Sequence, residues 1–81
     1  MIKTDILAIV QKNMLEILPK LNPEVIQLEA SMKDLGANSI DRMDVVIQSM
    51  ADLSLKIPLI ELASVSNIGG LVDLFYEKLQ N

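Results

Sequence analysis

The stretch DLGANSIDRMDVV, residues 34–46, decides how the chain is read, because one serine stands where a glycine-containing loop gives way to an apolar-periodic segment. Ser39 can cap the helix that follows, as serine commonly does. Asn38 can take the cap instead, which leaves the Ser39 hydroxyl free. From Ser39 to about Leu53 the spacing predicts a helix: Ile40, Met43, Ile47 and Met50 recur at steps of three or four, and Val46 and Leu53 widen the apolar stripe. Asp41, Asp44, Gln48 and Asp52 fall at complementary positions and are expected to line one polar face.

Upstream, TDILAIVQKNMLEIL (4–18) carries Ile6, Val10, Met14 and Ile17 at helical spacing, with Leu7 and Leu18 beside them. Thr4 is the expected N-cap, and Asp5 suits the first turn electrostatically. Pro19 ends this helix, since the residue before a proline is pushed out of the α region. Residues 19–38 make a long connection, kept irregular by Asn22 and Pro23. Its Val25, Ile26, Leu28, Met32 and Leu35 must pack rather than float, and connections of that length are usually functional.

Downstream, Pro58 suits the first position of a helix, and LIELA (59–63) allows only a turn or two. Ser66 is placed to cap a last helix whose Ile68, Leu71, Val72, Phe75 and Leu79 form a regular apolar face. Gly69 and Gly70 weaken that helix by about 1 kcal/mol each relative to alanine, so close packing is expected there. The result is an all-α chain: a four-helix bundle with three longer helices, one short helix and a long first loop, in a single domain spanning 1–81.

Composition removes most activities. The chain has 81 residues, 51% of them hydrophobic, with net charge −4. It is too apolar for disorder and too short for more than one modest core. Phe75 and Tyr76 are the only aromatics, so the core must be Leu, Ile, Val and Met. Without histidine or cysteine there is no disulfide, no thiolate nucleophile, no Ser–His pair and no structural zinc site within the chain. The amino-terminal MIKTDILAIV lacks the pattern of a signal peptide. No window reaches the roughly 18 apolar residues of a membrane span. Acidic balance argues against nucleic acid, whose phosphates would repel it. A cytoplasmic protein is expected.

The order of elements, together with DLGANSI, the helix after it, the IP before a short third helix and SVSNIGGLVDLF (64–75), resembles the acyl carrier protein family over essentially the whole chain. The resemblance implies that Ser39 carries 4′-phosphopantetheine, whose thiol holds acyl groups as thioesters. The family's usual centre is Asp-Ser-Leu, and here it reads Asn38-Ser39-Ile40. Isoleucine keeps an apolar anchor. Asparagine replaces a carboxylate that assists the modifying enzyme and its metal, which bears on which transferase accepts the chain. Independently of the resemblance, the first turn of a helix offers unpaired N–H groups and a positive dipole end, which favour a phosphodiester. Asp41 works against it, so position more than charge makes the site.

By resemblance, partner enzymes dock on the acidic face of the second helix, although by default Asp41, Asp44 and Asp52 form only a solvated surface that Arg42 and Lys56 dilute. Asn38, Ile40, Asp41, Asp44, Gln48, Ile60 and Leu62 are the expected partner-facing residues, with no catalytic residue and no metal ligand. A helix as short as the third cannot bury all of Leu59, Ile60, Leu62 and Ala63, which suggests a dedicated set of partners. These would be a phosphopantetheinyl transferase and an acyltransferase, ketosynthase or 3-hydroxy-3-methylglutaryl-synthase-like enzyme, the last implying β-branching in a polyketide-type pathway. A discrete, monomeric, non-catalytic carrier is expected. Ordinary packing is the preferred reading of the Leu, Ile and Met content, and sequestration of an acyl chain the second. A peptidyl or D-alanyl carrier, and a helical adaptor in which Ser39 merely caps, stay open as alternatives.

Overall fold

Helix α1 (Lys3–Ile17) starts ahead of Thr4, and the reason is Asp5. The Asp5 carboxylate accepts from the Ile2 backbone N–H at 3.1 Å, closing the first turn one residue outside the helix. Thr4 is an exposed first-turn residue and does not cap. At the other end Leu18 donates to the Met14 carbonyl at 2.7 Å, and Pro19 stops the helix as expected. The computed structural model describes residues 1–80. Its elements after α1 are a 3₁₀ turn (Pro23–Val25) and helices α2 (Ser39–Leu53), α3 (Leu59–Leu62) and α4 (Ile68–Gln80), with no strand among the described residues.

The core lies where α1 meets α2 and α4. Ile6, Val10 and Met14 of α1 pack with Val45, Val46 and Leu53 of α2 and with Ile68, Leu71, Val72 and Phe75 of α4. Ile26 of the long connection and Ile57 ahead of α3 close its ends. The α4 face is the one its periodicity predicts, with Leu79 half-buried.

Helix α2 corrects the sequence reading. Of the stripe expected inside, Ile40 is 73% and Ile47 51% exposed, and Met43 is exposed too. Val46 and Leu53 of that stripe are buried as expected and Met50 is half-buried, but the rest of the buried face is Val45 and Ser49. The helix carries two apolar rows, and a polar clasp selects between them. Asn13 of α1, only 1% exposed, donates from Nδ2 to Ser49 Oγ at 2.9 Å and to Asp52 Oδ2 at 3.1 Å. Satisfied in this way, Ser49 can occupy the core at 0% exposure, and the rotation that puts it there turns Ile40, Met43 and Ile47 outward. Lys12 Nζ adds an ion pair to Asp52 at 3.1 Å, and Gln48 Nε2 donates to it at 3.3 Å. The Asp52 carboxyl is held below the usual carboxylate range, first by the Asn13 hydrogen bond and then by Lys12. Asp52 therefore belongs to the α1–α2 seam and not to a free acidic face.

The long connection packs by its backbone as much as by its side chains. Ile26 is buried and Met32 and Leu35 are half-buried, whereas Val25 and Leu28 are exposed, contrary to expectation. Gln11 of α1 donates to the Ile26 carbonyl at 2.8 Å. The carbonyls of Leu28 and Ala30 accept from Gly69 at 2.7 Å and Ile68 at 2.9 Å, so the loop satisfies the first N–H groups of α4. This approach explains Gly69: a Cβ there would lie 2.9 Å from the Leu28 carbonyl oxygen. The side-chain cap of α4 is Asn67, whose Oδ1 accepts from Gly70 N–H at 2.7 Å, and not Ser66. Replacing Asn67 by alanine should lower stability by about 1 kcal/mol in urea denaturation, and Ser66→Ala should stay within roughly 0.5 kcal/mol of the parent.

Candidate functional site

A tight turn delivers the chain to Ser39. Asp34 N–H donates to Ser31 Oγ at 3.1 Å, Gly36 N–H to the Lys33 carbonyl at 3.1 Å, and Ala37 N–H to the Met32 carbonyl at 3.0 Å. Gly36 takes φ +103° in open space, a backbone conformation that side-chain-bearing residues rarely adopt. Ala37 is buried and anchors the turn from below.

Asn38 then caps α2. Its Oδ1 accepts from Asp41 N–H at 2.8 Å, and Asp41 Oδ2 accepts from Asn38 N–H at 3.3 Å, a reciprocal capping box. The cap is thus taken by Asn38, and Ser39 sits in the first turn with an exposed hydroxyl. Its side-chain partner is Arg42, whose Nη2 donates to Ser39 Oγ at 3.2 Å. Backbone N–H groups of a helix's first turn have no intrahelical acceptor, so positive charge, partial and full, gathers around this oxygen.

Beside Ser39 a cleft of about 310 Å³ opens between α2 and α3, lined by Arg42, Met43, Val46, Leu59 and Leu62 among others. Leu62 is half-buried in this wall, while Ile60 points away from it at 83% exposure. Asn38, Ile40, Asp44 and Gln48 are exposed, and Asp41 is half-buried by its capping role. The structure thus brings Asn38, Ser39, Ile40 and Asp41 together at the head of α2. It sets Asp44 and Gln48 along the helix, and leaves Asp52 on the far seam. Sequence reasoning missed Arg42 as a site residue and missed the outward row Met43 and Ile47. A signal for Arg42 was present: it is the chain's only arginine, one turn after Ser39.

The arrangement suits a hydroxyl that accepts a group and keeps it. Arg42 cannot take the Ser39 proton, because a guanidinium stays protonated in proteins. Among the described residues no cluster of three or more metal-ligating side chains occurs, and no helix is long and apolar enough to cross a membrane. An anionic ester at Ser39 would meet the positive end of the α2 dipole, a guanidinium and an apolar cleft, all three of which fit a phosphate-rooted pantetheine arm. Because Asn38 and not Ser39 caps the helix, Asn38→Ala should cost about 1 kcal/mol and Ser39→Ala should stay within roughly 0.5 kcal/mol of the parent, measured by thermal or urea unfolding of the unmodified protein.

Residues 8–75 match the family described as phosphopantetheine attachment site. The chain is 41% identical over 79 residues to the polyketide biosynthesis acyl-carrier-protein AcpK of Bacillus subtilis (strain 168), covering 98% of this chain and 96% of that one. It also superposes with a TM-score of 0.87, at 44% identity over 96% of this chain and 100% of the other, on a chain in the crystal structure of the curacin biosynthetic pathway HMG synthase in complex with acetyl donor-ACP. The capped helix, the free serine and these likenesses converge: the chain belongs to the phosphopantetheine-attachment family, a generally non-catalytic group, and is an acyl carrier protein whose cofactor is 4′-phosphopantetheine.

Proposed function

We propose that Ser39 is the attachment point of the arm, and that this single carrier domain, residues 1–81, presents acetyl or malonyl-derived units in a polyketide-type pathway. The receiving enzyme would be a 3-hydroxy-3-methylglutaryl-synthase-like enzyme that builds β-branches. The observation that carries the pathway reading is the 44% identity and TM-score of 0.87 to a chain crystallised as part of an HMG synthase complex with acetyl donor-ACP. The observation that carries the site is that Asn38 holds the cap, so the Ser39 oxygen is exposed and takes no part in capping the helix.

The bound arm supplies the thiol on which an acyl group rides as a thioester. The chain's own residues do the rest. α2 fixes the arm's origin, the capping box keeps that origin from fraying, and the loop turn at Gly36 holds the approach open. Catalysis is left to partners: a phosphopantetheinyl transferase, an acyltransferase or ketosynthase, and the synthase-like enzyme. We read the protein as a cytoplasmic monomer, a state in which the arm stays accessible from every side.

Partner recognition runs along the exposed side of α2 and α3. Ile40, Met43 and Ile47 on α2, with Leu59 and Ile60 on α3, are exposed large apolar side chains. Asp44 and Gln48 border that row, and Asn38 and Asp41 stand at its head. This mixture of apolar contacts with few charges supports selective docking over broad electrostatic attraction. A peptidyl or D-alanyl carrier would share the serine and the fold, and the acetyl-donor likeness favours the acyl reading over it.

Two measurements test this. Incubation with coenzyme A and a broad-specificity phosphopantetheinyl transferase should add the mass of one phosphopantetheine, and Ser39→Ala should abolish the gain; an unmodified parent with several transferases would refute the site. Ile60→Glu, at a fully outward position, should leave the fold and the modification intact. It should slow acetyl transfer to the synthase-like partner by about tenfold or more, as read in a single-turnover transfer assay.

A further inference from the structure

Arg42 is not explained by folding. The chain carries seven cationic side chains, and its only arginine stands beside Ser39. Arg42 is half-buried and lines the cleft, its Nε is buried without a hydrogen-bond partner, and among the described residues no carboxylate lies within 4.0 Å of it. Among the described residues the ion pairs use lysines: Lys3 with Asp73, Lys12 with Asp52 and Lys78 with Glu61. A guanidinium partly withdrawn from water with one donor idle is costly unless an anion completes it.

We propose that Arg42 is the positioning residue for the phosphodiester of the arm, gripping its non-bridging oxygens and fixing the direction in which the arm leaves Ser39. This rests on the reading of Ser39 as the attachment point. Arg42 Nη2 already donates to Ser39 Oγ at 3.2 Å, and esterification bonds phosphorus to that same oxygen. The new anion therefore arises within reach of the guanidinium. The fork of donors matches phosphate geometry in a way a lysine ammonium does not. Asp41, whose carboxylate accepts from the Asn38 N–H, sets a negative charge in the same first turn, so Arg42 also offsets a local negative field. With its root held on the α3 side of α2, the arm starts across the apolar wall of Met43, Leu59 and Leu62 and not out into solvent.

The single arginine makes the test direct. Intact mass first establishes that the protein carries one arm and that Ser39→Ala carries none; failure at this stage refutes the attachment site and not the grip. In ¹⁵N-labelled wild-type protein, the sole arginine Nε–Hε resonance should move and exchange more slowly with water on passing from the unmodified to the modified form. The ³¹P resonance of the modified protein should shift in Arg42→Gln, stay closer to wild type in Arg42→Lys, and depend on salt in wild type more than in Arg42→Gln. An Nε–Hε signal and a ³¹P signal indifferent to one another's presence, in protein shown by mass to be modified, would overturn the proposal. Arg42→Gln losing only synthase transfer, with its ³¹P signal as in wild type, would do the same and assign Arg42 to a partner's carboxylate.

Discussion

The rotation of α2 about its own axis is the constraint on which the rest of the structure depends, and the hydrogen bonds from Asn13 to Ser49 and Asp52 set it. Without them Ser49 would be an unsatisfied hydroxyl in an aliphatic core, which would penalise the rotation that buries it. With them, Val45 and Leu53 go in and the row Ile40, Met43 and Ile47 stays out. One buried amide thereby fixes both the packing of the bundle and the face that the second helix turns outward. Buried polar groups that select one arrangement among several of similar hydrophobic content are known to act in this way.

The head of the same helix divides its labour among neighbouring residues. Asn38 and Asp41 satisfy each other and close the helix end, Ser39 stays uncommitted between them, and Arg42 reaches back one turn to it. An aspartate in place of Asn38 would also cap, but would set a second negative charge next to the serine. The neutral amide keeps the cap and lowers the local negative field.

The helices themselves were legible because their signals are local. Pro19 ends α1, the α4 periodicity is regular, and the boundaries of α2 fall where the loop and the apolar run meet. The rotation of α2 was not legible, since Ser49 and Asn13 count as surface residues until the Asn13 amide N–H is seen to reach the Ser49 hydroxyl across 36 positions. The α1 cap falls two residues before Thr4, at Ile2, and the α4 cap one residue after Ser66, at Asn67, for a related reason. Asp5 and Asn67 compete with Thr4 and Ser66 for the same task, and only geometry decides. At the site, the freedom of Ser39 followed from Asn38, an alternative visible in the tripeptide; Arg42 required the fold, because an arginine on a helix surface is ordinarily just solvated.

The two walls of the cleft differ in how firmly they are tied. α2 is clasped to α1, and the long connection is laced to α4 through the carbonyls of Leu28 and Ala30, so those parts rise and fall together as one cooperative unit. α3 is four residues long and has no fully buried residue; half-buried Leu62 touches the core, and the Glu61–Lys78 pair ties α3 to α4 at the surface. It can lift at little cost to the core, and amide exchange there should be uncoupled from global unfolding. The head of α2 is thereby held stiff, while the cleft beside Ser39 has one wall tied far more loosely than the other.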